Sequence, residues 1–309
     1  MTLPLITLVT PTLNQAAFIR QTIDSVLAQN YPALDYRVLD GGSSDGTAEI
    51  LAGYGERLSW QSAPDRGQTD AINRGWSAGS GEILAWLNSD DFYLPGALEK
   101  VGRFFAVHPD VDWLYGDCLL ANARGEITGH YAARPYDYLV LVRETHNFVP
   151  QPATFIRRRV YQELCPLDEN LHYVMDFDYW LRAGMRHPGA YLSEPLAALR
   201  LHDTAKSVAH LARFARELVT VYQRFFSAKD LPPALRAVER LAMSNIYLRA
   251  ADCAFWGESL GEARRMALRS FWLRPLRPRR LYLYLLLGAA GRRLAGRAGP
   301  NPYAGKGAA

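Results

Sequence analysis

Apolar residues along this chain recur at two different spacings, and the change from one to the other divides it. Residues 5–9, 36–39 and 83–87 are short apolar runs of strand length, the last nearly continuous, as expected of strands buried on both faces of a parallel sheet. Between them the spacing is helical. Phe18, Ile19, Ile23, Val26 and Leu27 follow Asn14, which offers an N-cap; residues 48–54 form a second helical stretch; and a polar helix is expected over about 68–77, after a short strand near 59–61. Residues 96–107 carry Leu98, Val101, Phe104 and Phe105 on one face, and 111–119 and 127–131 alternate like strands. The pattern predicts an α/β fold with a doubly wound, mostly parallel sheet over the first 120 residues. After Ser207 only helices are expected: one through Val208, Leu211, Ala215, Leu218, Tyr222 and Phe225, a second over 235–248, and a hairpin of 251–256 and 259–273 turning at Gly257. The expected organisation is a sheet domain over 1–206, with halves at 1–120 and 121–206, a helical appendage over 207–300 and a flexible tail over 301–309.

Composition narrows the class. With 309 residues, 49% of them hydrophobic and 21% charged, the chain can bury one large domain plus an appendage. A net charge of +4 supplies no general footprint for nucleic acid, although basic residues crowd together after Arg264. Cys118, Cys165 and Cys253 are scattered and form no CxxC pair, which argues against a disulfide frame or a zinc site and for a reducing, cytoplasmic setting. The first apolar run has no basic segment before it and reads as a strand, not a signal peptide. Residues 274–297 set about ten apolar residues between basic clusters, too few to span a bilayer. That segment suits the interface of an anionic membrane, which would make the protein peripheral at the inner face of the cell membrane; a solvated helix packed on the protein is the alternative.

Candidate chemistry collects at the ends of the apolar runs. Asp90 and Asp91 follow the 83–87 strand, at the sheet edge where ligands of open α/β folds bind. Adjacent carboxylates repel unless a cation is shared, and Mg²⁺ or Mn²⁺ prefers such oxygens; capping the helix after Pro95 is the competing explanation. Asp40 closes a second strand before the turn GGSSDGT, where it could accept hydrogen bonds from a base or ribose or simply shape the turn. Asp65, Arg66, Gln68, Asp70 and Asn73 line either a pocket wall or a solvated helix face. Asp176, in MDFDYWLR, is a general base or the N-cap of a short amphipathic helix, with Asp178 in support. Gln151 and the basic group Arg200, His202 and Lys206 complete the set, and a neutral His202 would be a sound metal ligand. HExxH, P-loop, GxSxG and GxGxxG patterns are absent from the sequence.

Four of these stretches, VTPTLN, DGGSSDGT, DRGQTDAIN and LNSDDFYLP, in this order, resemble the nucleotide-binding half of family 2 inverting glycosyltransferases with the GT-A fold. The stretch from HNFVPQPATF to MDFDYWLR is similar to the acceptor half of bacterial members that build polysaccharides and glycolipids, so the likeness covers about residues 3–205. It implies a Rossmann-like, mixed but mostly parallel sheet flanked by helices, with the all-helical region as an appendage. It also implies roles: Thr10, Pro11 and Thr12 lining the base pocket, Asp40 bonding uracil or its equivalent, Asp70 and Asn73 near the nucleotide, Asp90 at the ribose or metal, Asp91 and His202 on the metal, and Asp176 as base. Where many members carry an acid, this chain has Asn88. The activity implied is transfer of a sugar from a UDP-sugar to a hydroxyl of a lipid-linked or polysaccharide acceptor, with Mg²⁺ or Mn²⁺. Two alternatives are a sugar-1-phosphate nucleotidyltransferase and a non-catalytic nucleotide-sugar or glycan-binding module.

Overall fold

The computed structural model describes residues 2–145, 147–164, 166–202 and 210–275. In chain order the elements are β1 (Ile6–Thr12), α1 (Ile19–Leu27), β2 (Leu34–Asp40), α2 (Thr47–Ala52), β3 (Ser59–Ser62), α3 (Gln68–Ala78), β4 (Ile83–Trp86), β5 (Phe92–Tyr93), α4 (Ala97–Val107), β6 (Trp113–Ala121), β7 (Ile127–His130), α5 (Tyr138–Glu144), β8 (Thr154–Arg157), α6 (Arg158–Leu164), α7 (Met175–Gly184) and β9 (Gly189–Arg200). Three longer helices follow: α8 (Leu211–Ser227), α9 (Pro233–Trp256) and α10 (Leu260–Leu273). The chain divides into two compact units, Met1–Tyr136 with Phe148–Arg200, and Asp137–Asn147 with Leu201–Ala309.

The first unit is a mixed sheet in the order β3-β2-β1-β4-β8-β6-β9-β5, with β7 paired to β6. Strands β3, β2, β1 and β4 run parallel, as the buried apolar runs predicted. β8 is antiparallel to both β4 and β6, so β6 points the same way as β4, and β9 is parallel to β6. The carboxyl ends of β1, β2, β3, β4, β6 and β9 therefore share one edge. Alternation along the strands sends Ile6, Leu8, Val38, Ile83 and Ala85 to one face, where Ile19, Ile23, Val26, Leu51, Leu98, Val101 and Phe105 from α1, α2 and α4 cover them. Each large side chain buried there stabilises by about 1.5–3 kcal/mol.

Val9 and Trp86 point to the opposite face. A Cβ at Gly75 would lie 2.5 Å from a Val9 methyl, so glycine is what lets α3 lie this close to β1. Beside it, Trp86 stacks on Trp180 of α7 with ring centres 5.9 Å apart, and Trp180 stacks on Trp113 at 5.4 Å. Offset ring pairs of this kind add roughly 0.5–1.5 kcal/mol beyond their area. This aromatic stack fixes where α7 lies against the sheet.

Among the described residues, helices α5, α8, α9 and α10 make up the second unit. Small residues, among them Ala215, Ala250, Ala251, Ala254, Ala263 and Ala267, let the helices pack closely around Leu211, Val219, Tyr247 and Phe255. Tyr222 donates to the Val142 carbonyl (3.0 Å) and Asn245 to that of Arg143 (2.6 Å), which ties α5 into the bundle. Two sequence expectations are corrected here and at α1. The helices expected over 235–248 and 251–256 are one, because Arg249 and Ala250 between them are strong helix formers. Asn14 does not cap α1; it adopts φ +53° and its side chain bonds elsewhere. Cys165, Lys206, the tail over 301–309 and all but the first two residues of 274–297 lie outside the described residues.

Candidate active site

At the carboxyl edge, parallel register sets Thr12 beside Asp40 and Asp40 beside Ser62. Asp40 is 3% exposed, and its carboxylate accepts from the Ser43 N–H (3.0 Å), the Ser43 hydroxyl and the Ser62 hydroxyl (2.5 Å). The turn after it is built as its glycines predicted, with Gly42 at φ +88° and Gly46 at φ +95°. It also locks onto the loop after β1: Asn14 N donates to Ser43 Oγ (2.7 Å), Ser44 N to Asn14 Oδ1 (2.9 Å), and Ala16 N to Asp45 Oδ2 (2.9 Å). Thr10 is buried with its hydroxyl 3.1 Å from that of Tyr36. Among the described residues, the buried Thr12 hydroxyl has no hydrogen-bond partner. Buried polar groups are nearly always paired, so an orphan at this edge marks a place where a ligand can bind.

The NSDD loop is held from three sides. Thr22 Oγ1 donates to the carbonyls of Ser89 (2.9 Å) and Asp91 (2.7 Å). The backbone N–H of Arg200, at the end of β9, donates to Asp91 Oδ1 (2.9 Å), while its guanidinium donates to the carbonyls of Asp90 (2.6 Å) and Ala123 (2.8 Å) and to Gln21 Oε1 (2.6 Å). Asn88 is an amide hub: Oδ1 accepts from Gln68 Nε2 (2.7 Å), and Nδ2 donates to Gln151 Oε1 (3.1 Å) and Asp91 Oδ2 (3.4 Å). Gln151 in turn donates to the Trp86 carbonyl (2.7 Å). An aspartate at 88 would face two acceptors with no proton to give, which is the physical reason for asparagine here.

The two acids of this loop differ. Asp91 is 1% exposed, and burial, then the charge of Asp90, push its carboxyl well above the usual carboxylate range. Asp90 is partly exposed. Neither caps α4, whose N-cap is Gly96 at φ +77° with no side-chain bond. Arg200 is buried, its guanidinium given over to backbone carbonyls, Gln21 and the faces of Phe18 and Phe92, so it acts as a clamp on the loop. Sequence reading singled out its charge and missed that role.

Across from this loop, α3 carries the residues expected at the nucleotide. Asp70 is buried and accepts from Arg66 Nη2 (2.8 Å), a hydrogen bond that, with the nearby arginine charges, holds its carboxyl below the ordinary range against the cost of burial. Arg66 also pairs with Glu169 (2.8 Å). Asn73 is committed to the loop before α7: Nδ2 donates to the Leu167 carbonyl (2.9 Å) and Oδ1 accepts the Leu167 N–H (3.0 Å). Thr69, in the first turn of α3, donates to the Leu171 carbonyl (2.9 Å). These bonds hold the loop that leads into α7 against α3. Asp176 sits in the first turn of α7 and is partly exposed; the N-cap position is Val174. Asp178 is buried and ion-paired with Arg182 (2.9 Å) one turn on. His202 is buried and belongs to the second unit. Among the described residues no group of three or more His, Cys, Asp or Glu side chains converges to hold a metal.

A family model, Glycosyl transferase family 2, matches residues 7–164, which is over half of the chain and includes the strand-end row, α3 and the NSDD loop. The chain belongs to glycosyl transferase family 2. Similar curated members include an uncharacterised glycosyltransferase of Rickettsia typhi, 27% identical over 208 residues that span 65% of each chain. A PGL/p-HBAD biosynthesis glycosyltransferase of Mycobacterium bovis is 29% identical over 187 residues, covering 59% of this chain and 70% of that protein. Among solved structures, S. aureus TarS superposes with a TM-score of 0.62 at 17% identity over 95% of this chain and 55% of TarS. The mannosyltransferase PcManGT of Pyrobaculum calidifontis, solved with GDP-Man and Mn²⁺, gives 0.62 at 19% identity, over 98% and 83%. These likenesses establish the GT-A fold expected from the sequence.

Proposed function

We propose that this family 2 protein transfers a sugar, with inversion, from a UDP-sugar to a hydroxyl of a lipid-linked or polysaccharide acceptor. One observation carries this reading: the orphaned Thr12 hydroxyl, Asp40 and the NSDD acids lie along one sheet edge of a GT-A fold, and Thr69 of α3 ties down the loop that leads into α7. The solved neighbours support the donor class, since one was captured with GDP-Man and Mn²⁺ and TarS 1–349 with UDP-GlcNAc.

In the proposed arrangement Thr10, Pro11, Thr12 and Asp40 receive the nucleoside, with Asp40 oriented by its serine donors. Asp70 and Asn73 act from behind, fixing the Arg66 loop and the approach to α7. The donor set suits Mg²⁺ or Mn²⁺, hard cations that take carboxylate oxygens and keep positions for phosphate oxygens. Sequence resemblance put Asp91 on the metal and Asp90 at the ribose or metal; Asp90, the more exposed acid, is proposed to meet the cation while Asp91, bonded to Arg200 N, sets the loop behind it. His202 is left out of the proposed cation site. When bound, the cation offsets the negative charge that gathers on the departing diphosphate. Asp176 is proposed to take the proton of the acceptor hydroxyl as it attacks opposite the leaving group, so no covalent sugar–protein bond forms.

The test is a screen of nucleotide sugars for thermal stabilisation with and without Mn²⁺, on wild type and Asp90→Asn. One donor should raise Tm only with metal, and D90N should abolish that rise. Release of pyrophosphate from a nucleoside triphosphate and a sugar phosphate would instead assign the chain as a nucleotidyltransferase and overturn the proposal.

A further inference from the structure

The outer face of α10 combines two features that rarely coexist on a helix facing only water. Leu268, Phe271 and Trp272 are exposed by 47%, 39% and 77%, whereas Ala263, Ala267 and Ser270 on the inner face are buried against the bundle. Soluble surfaces tolerate single exposed apolar residues; three within five positions, ending in a Trp, form a ridge. The charges around the ridge are of one sign. Arg264, Arg265, Arg269 and Arg274 are all exposed, and the single carboxylate of the helix, Glu262, is largely covered and shared by Arg216 (2.8 Å) and Arg265 (3.7 Å). Arg269 lies over the Tyr247 ring (5.6 Å), its stem along the bundle. Ring and leucine side chains bordered by arginines match the interface of an anionic bilayer, where Trp sits at headgroup depth and each guanidinium meets lipid phosphate.

We infer that the Leu268/Phe271/Trp272 ridge of α10, with its bordering arginines, is a docking surface for an anionic lipid bilayer. No helix of the described residues is long and apolar enough to cross a membrane. The sequence past Pro275 adds Arg277, Arg279 and Arg280, of the same sign. This inference stands apart from the donor-site roles, because it rests only on the second unit.

Co-sedimentation of the full chain with phosphatidylcholine vesicles, and with vesicles containing phosphatidylglycerol, tests it. Wild type should pellet with the anionic vesicles alone and be released by salt. Trp272→Ala with Phe271→Ala should weaken binding by about tenfold or more, and Arg264→Glu with Arg265→Glu by roughly thirty-fold. Unchanged Tm would show that these surface variants fold, and nucleoside diphosphate release in vesicle-free buffer should equal wild type. Equal binding to both vesicle types, variants that pellet like wild type, or loss of a self-association signal in the Trp272 variant without any vesicle binding would each overturn the inference.

Discussion

The two units of this chain put buried polar groups to partly different use, although Tyr222 and Asn245 in the second also bond to distant carbonyls. In the first, Asn73, Thr69, Thr22 and Arg200 are buried and bond to backbone atoms far away in sequence, so each holds a loop in place. In the second, buried polar pairs such as Ser244 and Ser270 (3.1 Å) bridge helices that apolar packing already holds, and the charged side chains of α10 point outward. A hydrogen bond adds little net free energy to folding but is costly to leave half made, so polar burial concentrates where geometry must be set and not merely filled.

Four variants would break or sharpen that contrast. Asp176→Asn should cut turnover by about 10²–10⁴-fold, the usual worth of a general base, with donor affinity retained; calorimetric donor titration beside a product assay measures both. Arg200→Ala removes the clamp on NSDD and should cost about 3–5 kcal/mol in chemical denaturation, with loss of Mn²⁺-dependent donor binding. Asn73→Ala leaves the Leu167 peptide groups unpaired and should cost about 1–3 kcal/mol, lowering kcat more than it raises the KM for donor. Ser244→Ala with Ser270→Ala removes both partners at once and should shift stability by less than about 1 kcal/mol, with kcat unchanged, because no group is left orphaned. A large loss from the serine pair, or none from Asn73, would erase the distinction between the units.

The same contrast explains which parts of the site could be seen in advance. Asp40, Asp90 and the DGGSSDGT turn were visible because their position depends on a strand ending beside them, and strand ends follow from the local apolar pattern. Asn73 was placed at the nucleotide because its type and motif were visible while its partner, Leu167, lies 94 residues on. Arg200 was noted for its charge, yet its work is to satisfy carbonyls of Asp90 and Ala123 and to present a backbone N–H to Asp91 across 109 residues. Asn14 looked like a helix cap because the next helix was the only partner in view, whereas the turn after β2 claimed it.

Sequence alone determined the alternation of strand and helix, the parallel start of the sheet, the edge at which the acids fall and the family to which the motifs belong. The first three are consequences of periodicity and of short-range backbone chemistry; the family follows from the resemblance of the motifs. Which of Asp90 and Asp91 is the more exposed, why residue 88 is an amide, and what ties the loop before α7 to α3 were decided only by the tertiary structure, because burial and hydrogen-bond partnership are set by residues that meet in space after the chain has folded.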